Sequence, residues 1–214
     1  MKLYSKPGAC STADHIALNW AGLPYEAKIV TASQMKEPDF LALNPAGSVP
    51  VLVDTGLVDG DFVLTQNAAI MGYIADSAPN AGLAGDGSKQ QRAGAMRWLA
   101  YVNSDVHPAF KPIFNPGAYY PDAAQADAVK NAARANVQKV YQFAEKQLDG
   151  HDWLAGFRSV ADPYLYVTLR WAVAVHIDMG ALPNLLAFMR RMEADPGVQQ
   201  ALSAEHLKPM APAA

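Results

Sequence analysis

The N-terminal stretch constrains the fold of this chain most strongly, because a short apolar strand must turn there into a helix within a few residues. Residues 2–16 read KLYSKPGACSTADHI, and Pro7 and Gly8 separate the strand pattern from the helical one. Cys10, the single cysteine of the chain, follows this turn directly. The sequence therefore predicts a thiol at the point where a strand ends and a helix begins.

The position of Cys10 predicts a reactive thiol. Ser11 or Thr12 is a suitable N-cap residue, and helical periodicity continues toward Gly22, where the helix should end. Unpaired N–H groups and the positive end of the helix dipole favour a thiolate, so we expect the pKa of Cys10 to fall into the range of roughly 3.5 to 7.5. The alternative is a buried cysteine that only fills space, since free cysteine is among the most buried residue types.

The composition argues against several classes of protein. The chain has 214 residues, of which 51% are apolar and 17% charged, with a formal net charge of −3. This balance is typical of a globular protein that binds neither nucleic acid nor an acidic membrane. A single cysteine allows no intrachain disulfide, no Cys/His cluster has zinc-ligand spacing, and we expect no metal. Because no signal peptide or run of about 20 apolar residues is visible, the sequence predicts a cytoplasmic protein.

The pattern of strands and helices predicts two domains of different class. Residues 1–77 alternate between strand and helix in the order βαβαββα, with Asp59-Gly60 as a hairpin turn. Residues 78–88, APNAGLAGDGS, have the composition of a linker. Residues 89–214 carry helical patterns only. We therefore predict an α+β domain at 1–77, a linker at 78–88 and an all-α domain at 89–214.

One segment is predicted to form the core of the helical domain. Val160 to Val175 is apolar nearly all round, with Asp162 and Arg170 as its only charges. Ser159 and Asp162 fit a capping box, in which Ser159 caps the helix and the Asp162 carboxylate reaches back to a free N–H. We therefore assign Asp162 to capping rather than to acid–base chemistry. Residues 209–214 are expected to form a loose tail.

Two further segments of the first domain are expected to converge on Cys10. Val49-Pro50 is a candidate for a cis peptide bond at a strand entrance, although a trans proline is more frequent. A cis bond would turn the N–H and C=O of Val49 outward, where a bound peptide could pair with them. Gln66 and Asn67 stand where a strand passes into a helix, so free N–H groups and side-chain amides there can bind a carboxylate. The alternative for Asn67 is a plain N-cap.

Together these three segments resemble the thioredoxin-like half of the cytosolic glutathione transferases. KLYSKPGACS, NPAGSVPVL and LTQNAAI are similar to the family's thiol, cis-proline and γ-glutamyl-binding segments. In the second half, RWLAYVNSDVHPAFKPIF is similar to the first helix of the family's helical domain and FRSVADPYLYV to its buried capping-box helix. The resemblance covers essentially the whole chain, and a cysteine at the active position most resembles the bacterial beta class.

The resemblance implies a role in glutathione binding for each of the three segments. Cys10 would lie against the glutathione sulfur, and Val49 would pair with the backbone of its cysteinyl residue, beside Pro50 as the cis-proline. Gln66 and Asn67 would hold the γ-glutamyl carboxylate. Since the beta class commonly has Glu at the position of Gln66, we expect this chain to recognise the ammonium group of glutathione differently.

The resemblance also implies roles for four residues outside these segments. His107 matches a histidine that the class places near the thiol, and Pro108 replaces a frequent lysine beside it. A histidine late in a helix can instead interact with the helix C-terminus. Asp105 matches an acidic position that reaches the partner subunit's glutathione, and Asn103 replaces a nearby asparagine contact. Lys36 could approach the glycine carboxylate of glutathione or remain a solvated loop lysine.

The activity that the resemblance implies is glutathione conjugation by a homodimeric enzyme of detoxification. Glutathione, the co-substrate, would bind as a thiolate near Cys10 and attack a small hydrophobic electrophile between the domains. A mixed disulfide at Cys10 would instead give a monothiol disulfide reductase, since CSTA lacks a second cysteine. A non-catalytic binding module on the same fold is the third hypothesis. Candidates for an apolar wall at the electrophile site are Tyr101, Phe110, Phe114, Tyr164 and Trp171.

Overall fold

Four short strands form one mixed sheet near the N-terminus, in a computed structural model that describes residues 1–212. The strands are β1 Lys2–Ser5, β2 Glu26–Ile29, β3 Val51–Asp54 and β4 Phe62–Thr65. Their spatial order is β2-β1-β3-β4, in which β1 is parallel to β2 and antiparallel to β3, and β3 is antiparallel to β4. The predicted hairpin between β3 and β4 is therefore confirmed.

Helices surround this sheet and make up the described part of the chain after it. They are α1 Ser11–Ala21, α2 Pro38–Leu43, α3 Asn67–Ser77, α4 Lys89–Tyr101, α5 His107–Phe114, α6 Ala126–Gln147, α7 Ala161–Ala174, α8 Pro183–Ala194 and α9 Pro196–Ala204. The predicted order βαβαββα is confirmed, and so is the helical second half. The domain limits at residues 77 and 88 stay a prediction. Among residues 1–212, none of the helices is both long and apolar enough to cross a membrane.

The start of α1 differs from the predicted N-cap. The helix begins at Ser11, and Cys10 occupies the N-cap position without a side-chain cap. The Ser11 hydroxyl accepts from the N–H of Lys6 at 3.1 Å, and the Thr12 hydroxyl donates to Glu205 at 2.6 Å. The two hydroxyls that could have capped the helix are therefore hydrogen-bonded to Lys6 and Glu205 instead. The predicted end is confirmed, because Gly22 has φ +66° and its N–H bonds carbonyls of the last turn.

Helix α1 is the element that joins the two halves. It packs against β1 and α3 on one side and against α7 and α9 on the other. The indole N–H of Trp20 donates to Asp195 at 2.7 Å, and the Asn19 amide donates to the Gly197 carbonyl at 2.9 Å. Apolar side chains of the sheet, α1, α7 and α9 belong to one continuous core. Because both halves share this core, the segment that carries Cys10 is held from both sides.

The buried helix α7 begins at Ala161 with Val160 at its N-cap position, one residue later than predicted, but Ser159 and Asp162 make the predicted bond between them. The Asp162 carboxylate is fully buried and accepts from the N–H of Ser159 at 2.7 Å and that of Leu154 at 3.0 Å. The Ser159 hydroxyl accepts from the N–H of Ala161 at 3.3 Å. Burial raises the pKa of Asp162 to about 6. Asp162 therefore serves the fold and takes no part in the cavity described below.

The segment after α9 is more firmly held than a loose tail. The N–H groups of Met210 and Ala211 donate to the Glu193 carboxylate at 2.7 and 2.8 Å, and Arg170 donates to the Lys208 carbonyl at 2.9 Å. The predicted tail is wrong for these residues, because two buried charged side chains bind its backbone. Residues 213 and 214 of that prediction lie outside the described part of the chain.

Candidate active site

A cavity of about 540 Å³ opens between the sheet domain and the helices. It brings together seven of the nine residues predicted to form the site, from four separate segments of the chain. Those seven are Cys10, Val49, Pro50, Gln66, Asn67, Asn103 and His107. Five further lining residues are Asn44, Ser48, Pro108, Lys111 and Tyr164.

The Cys10 thiol faces this cavity, but it is not activated in the way that the sequence suggested. Burial and the nearby Asp14 carboxyl raise the pKa of Cys10 to about 12, although N–H groups of Cys10 and Ser11 lower it in part. The prediction of a lowered pKa is wrong because desolvation at the buried helix start outweighs the helix dipole. Cys10 is consequently a neutral thiol at pH 7, and its sulfur donates to the Val49 carbonyl at 3.7 Å.

The loop before β3 supplies the second wall of the cavity. The Val49–Pro50 peptide bond is cis, as the sequence suggested. The Asn44 amide, itself nearly buried, donates to the Ser48 carbonyl at 2.7 Å and fixes the loop just before this bond. Sequence reasoning missed Asn44 and Ser48, although both lie in the turn NPAGS.

The residues at the start of α3 supply the third wall. Gln66 has φ +73°, a conformation that non-glycine residues adopt with strain and that is common at binding sites. Asn67 is the first residue of α3 rather than its N-cap, so its interpretation as a plain N-cap is wrong. When the side-chain amide of Asn67 is oriented so that its nitrogen and its oxygen both have suitable partners, the nitrogen donates to both carboxyl oxygens of Asp14. Asp14 thereby links the start of α3 to α1 beneath Cys10.

His107 enters the cavity from the helical side. A π-helical turn, Val102–Val106, follows α4, and His107 is the first residue of α5. Its interpretation as a residue at a helix C-terminus is therefore wrong. The imidazole Nδ1 lies 2.5 Å from the Tyr164 hydroxyl, and that hydroxyl donates to Asn103 at 3.4 Å. Burial, together with the charge of Lys111, lowers the pKa of His107 to about 4.

Tyr164 is a polar member of the site that the sequence suggested only as an apolar wall. Its ring lies within α7, where nearly all neighbours are buried, and its hydroxyl reaches the cavity. The sequence gives only a general indication of this polar role: a tyrosine hydroxyl inside a buried helix needs a hydrogen-bond partner. His107 and Asn103 provide that partner here.

Two predicted site residues lie outside the cavity. Lys36 is exposed at the end of the short 3-10 turn Gln34–Lys36. Asp105 is exposed on the opposite side of the π-helical turn, where it accepts from the Ser104 hydroxyl at 2.5 Å. The cation that does line the cavity is Lys111, one turn after His107.

A second cavity of about 420 Å³ adjoins the first and shares Cys10 and His107 with it. Aromatic rings form its helical side, since Trp171 packs on His107 with ring centroids 4.8 Å apart and Phe114 packs on Trp171 at 5.6 Å. The loop before α1 forms the other side. The thiol therefore stands between a polar cavity and an apolar one. The lining residues are Lys6, Pro7, Gly8, Ala9, Cys10, His107, Phe114 and Trp171.

Comparison with known proteins agrees with this geometry. The sequence-family model described as glutathione S-transferase, N-terminal domain, matches residues 9–77. The family model of the C-terminal domain matches residues 95–196. Glutathione S-transferase GST-4.5 of Xanthomonas campestris pv. campestris is 51% identical over 208 residues, which cover 97% of this chain and all of that protein. The chain belongs to the glutathione S-transferase family.

Solved structures of bacterial transferases share the fold of this glutathione S-transferase. A sphingomonad glutathione S-transferase complexed with glutathione is 41% identical, with a TM-score of 0.83 over 97% of this chain and 100% of that one. A beta-class glutathione S-transferase of Sphingomonas chungbukensis is 40% identical, with a TM-score of 0.83 and the same coverage. The resemblance to bacterial beta-class enzymes is thus confirmed.

The low pKa of His107 predicts that this transferase loses stability in mild acid. Its pKa falls from 6.5 to about 4 on folding, so the unfolded chain binds the proton more tightly. This contribution to the free energy of unfolding is complete above pH 6.5 and is lost as the pH falls to 4. The free energy of unfolding is measured by denaturant titration at pH 7 and at pH 4.5. Between these pH values it should fall by about 2 kcal/mol less in His107→Phe than in the parent.

The control for this experiment is His151→Phe, at an exposed histidine of the same chain. On acidification, the free energy of unfolding of this variant should fall by as much as that of the parent. Equal losses for the parent and His107→Phe would contradict the assignment of a neutral, buried imidazole to His107.

Proposed function

We propose that this transferase joins the sulfur of glutathione to small hydrophobic electrophiles at the Cys10 thiol. The observation that carries the proposal is the placement of Cys10 between a polar cavity that suits a peptide and an apolar cavity that suits an electrophile. Such a reaction in the cytoplasm removes reactive compounds, so the cellular role we propose is detoxification.

Glutathione fits the polar cavity by the chemistry of its lining. The peptide edge at Val49 can pair with the cysteinyl backbone, and the start of α3 at Gln66 and Asn67 can bind the γ-glutamyl carboxylate. Lys111 offers a cation within the cavity, whereas the exposed Lys36 reaches the glycine carboxylate only if its side chain extends toward it. The sphingomonad relative, whose structure holds glutathione, supports the same ligand here.

The chemistry we propose uses Cys10 as a hydrogen-bond donor. A neutral thiol can donate to the glutathione sulfur and so favour its thiolate form, whose proton leaves to solvent. The thiolate attacks the electrophile, a carbon–sulfur bond forms, and the leaving group departs with its bonding electrons. His107 and Tyr164 add a second polar pair on the other side of the cavity. The protein contributes orientation and a stabilised negative charge.

The aromatic candidates for the electrophile site separate by position. Phe114 and Trp171 line the apolar cavity, and Tyr164 lines the polar one. Phe110 is fully buried in the core, so it supports Trp171 from behind. Tyr101 donates to the Val140 carbonyl at 2.6 Å on another face of the helices. We therefore propose Phe114 and Trp171 as the surface that selects the electrophile.

The two alternative functions are less well supported. A mixed disulfide at Cys10 requires its thiolate, which a pKa of about 12 makes scarce at neutral pH. A non-catalytic module has no need of the strained Gln66 or of a polar cavity around a thiol. Neither hypothesis accounts for the two adjoining cavities as directly as conjugation does.

Substitution of Cys10 tests its role as a donor. Cys10→Ser keeps a donor of similar size, so conjugation of a chlorodinitrobenzene should stay within about tenfold of the parent in kcat/KM, whereas Cys10→Ala should lose about tenfold to a hundredfold. Glutathione-dependent reduction of hydroxyethyl disulfide is measured in parallel. If Cys10→Ser abolishes both reactions and the parent accumulates a mixed disulfide, Cys10 acts as a nucleophile and the donor role is wrong.

We also propose that the transferase is a homodimer, as its resemblance to the family implies. An extended groove runs along α4, the π-helical turn and α6, lined by Arg97, Tyr101, Asp105, Asn136, Lys139, Val140 and Phe143. The loop between β3 and β4 presents Leu57 and the fully exposed Val58 beside the acids Asp59 and Asp61. An apolar, acidic loop of one copy complements the apolar, basic groove of another. In such a dimer Asp105 would face the partner, as the sequence suggested.

Sedimentation of charge variants tests the dimer. Val58→Lys sets a cation against the basic groove and Phe143→Asp sets a carboxylate against the partner's acidic loop, so each should convert a micromolar dimer to a monomer. Ile29→Asp, at an exposed apolar residue on the far edge strand β2, is the matched control and should remain dimeric. A monomeric parent protein at this concentration would refute the dimer and the role of Asp105 in a shared site.

A further inference from the structure

A buried carboxyl group in α1 faces the start of α3, where the polar cavity offers its anion site. Asp14 lies in the first turn of α1 and is fully buried. Burial raises the pKa of Asp14 well above its usual value, so this position is unfavourable for a charged group. An apolar side chain would be buried there at lower cost. What the carboxyl group provides in return is an acceptor for a residue of α3.

The partner of Asp14 is the side chain of Asn67. The nitrogen of this amide donates to both carboxyl oxygens of Asp14. The same side chain faces the Tyr164 hydroxyl, since it lowers the pKa of that hydroxyl against the larger effect of burial. Only 4% of Asn67 is exposed. Protein groups on two sides therefore hold the Asn67 amide, and its oxygen, an acceptor, cannot bind a carboxylate.

The donors that remain for an anion at this place belong to the backbone of α3. Asn67 is the first residue of that helix, and the N–H groups of a first helical turn have no carbonyl of the same helix to bind. Gln66, just before it, has φ +73°. Because the backbone enters the helix in this strained form, the direction of the N–H groups depends on what holds the first turn. The bond from Asn67 to Asp14 holds it against α1.

We propose that Asp14 is a positioning residue that sets the specificity of this transferase for the γ-glutamyl group. By binding the Asn67 amide, it fixes the first turn of α3 so that backbone N–H groups, rather than the Asn67 side chain, face the γ-glutamyl carboxylate. Asp14 does not touch glutathione itself, because it is fully buried. The inference rests on the proposed function in that glutathione is the ligand of the polar cavity.

Asp14 also acts on the thiol, and the test must separate the two effects. Its carboxyl group contributes to the raised pKa of Cys10, after the larger effect of burial. A change at Cys10 alters the reaction of every thiol substrate alike, whereas a displaced α3 start affects only a substrate that has a γ-glutamyl group. Cysteinylglycine, which is glutathione without its γ-glutamyl residue, therefore distinguishes the two effects.

The test is a double-mutant cycle of Asp14→Ala and Asn67→Ala, in which a chlorodinitrobenzene is conjugated to glutathione and to cysteinylglycine. Asp14→Ala should raise the KM of glutathione about tenfold and leave kcat within about twofold, because the γ-glutamyl end lies away from the reacting sulfur. The kcat/KM for cysteinylglycine should stay within about twofold of the parent. Since the two side chains form one contact, the double variant should lose about tenfold with glutathione, not the product of two losses.

Glu145→Ala is the matched control. Glu145 is also a buried carboxylate that holds the start of another helix, since it accepts from the N–H groups of Asn184 and Leu185 in α8 at 2.9 Å each. This variant should lower the thermal midpoint and leave the preference for glutathione over cysteinylglycine unchanged. If Asp14→Ala fails to fold, Asp14→Asn keeps the size and one acceptor oxygen and should raise the KM of glutathione several-fold.

Three results would overturn the inference: equal losses with both thiols in Asp14→Ala, multiplied losses in the double variant, or an unchanged KM of glutathione in Asp14→Asn. A parent enzyme that shows no preference for glutathione over cysteinylglycine refutes the proposed function together with the inference. A parent that prefers glutathione, with a preference that Asp14→Ala retains, refutes the inference alone.

Discussion

The site depends on the burial of the N-terminal end of α1 between the two halves of the molecule. The sheet and α3 lie on one side of this helix, and α7 and α9 lie on the other. Removal from water has two effects there. It makes each hydrogen bond to the turn before Cys10 count for more, and it raises the pKa of the thiol instead of lowering it. The same burial therefore provides a rigid frame and a neutral donor.

The fold was largely predictable because its signals are local. Alternating patterns, the Pro7-Gly8 turn and the hairpin at Asp59-Gly60 each act over a few residues, and the structure has the predicted order of elements. The capping box at Ser159 and Asp162 is equally local and was found. The tail after α9 was not, because its bonds to Arg170 and Glu193 join segments that only the folded chain brings together.

The members of the site were predictable from motifs, but their electrostatics were not. Seven of the nine predicted residues share one cavity: five of them lie at turns or helix starts with a recognisable pattern, and Asn103 and His107 were expected from the family resemblance. The pKa of Cys10 depends on how deeply the start of α1 is buried. The extent of this burial cannot be read from a short sequence motif. Likewise, Tyr164 reaches the site from a distant segment, and the π-helical turn decides that His107 faces the cavity while Asp105 does not.

A crystal structure with glutathione bound tests the central claim most directly. A neutral Cys10 donor predicts glutathione bound without a covalent link, its sulfur within hydrogen-bond distance of the Cys10 sulfur and its cysteinyl backbone beside Val49. A disulfide between glutathione and Cys10, or a glutathione sulfur placed against other residues with Cys10 still bonded to the Val49 carbonyl, would contradict the account.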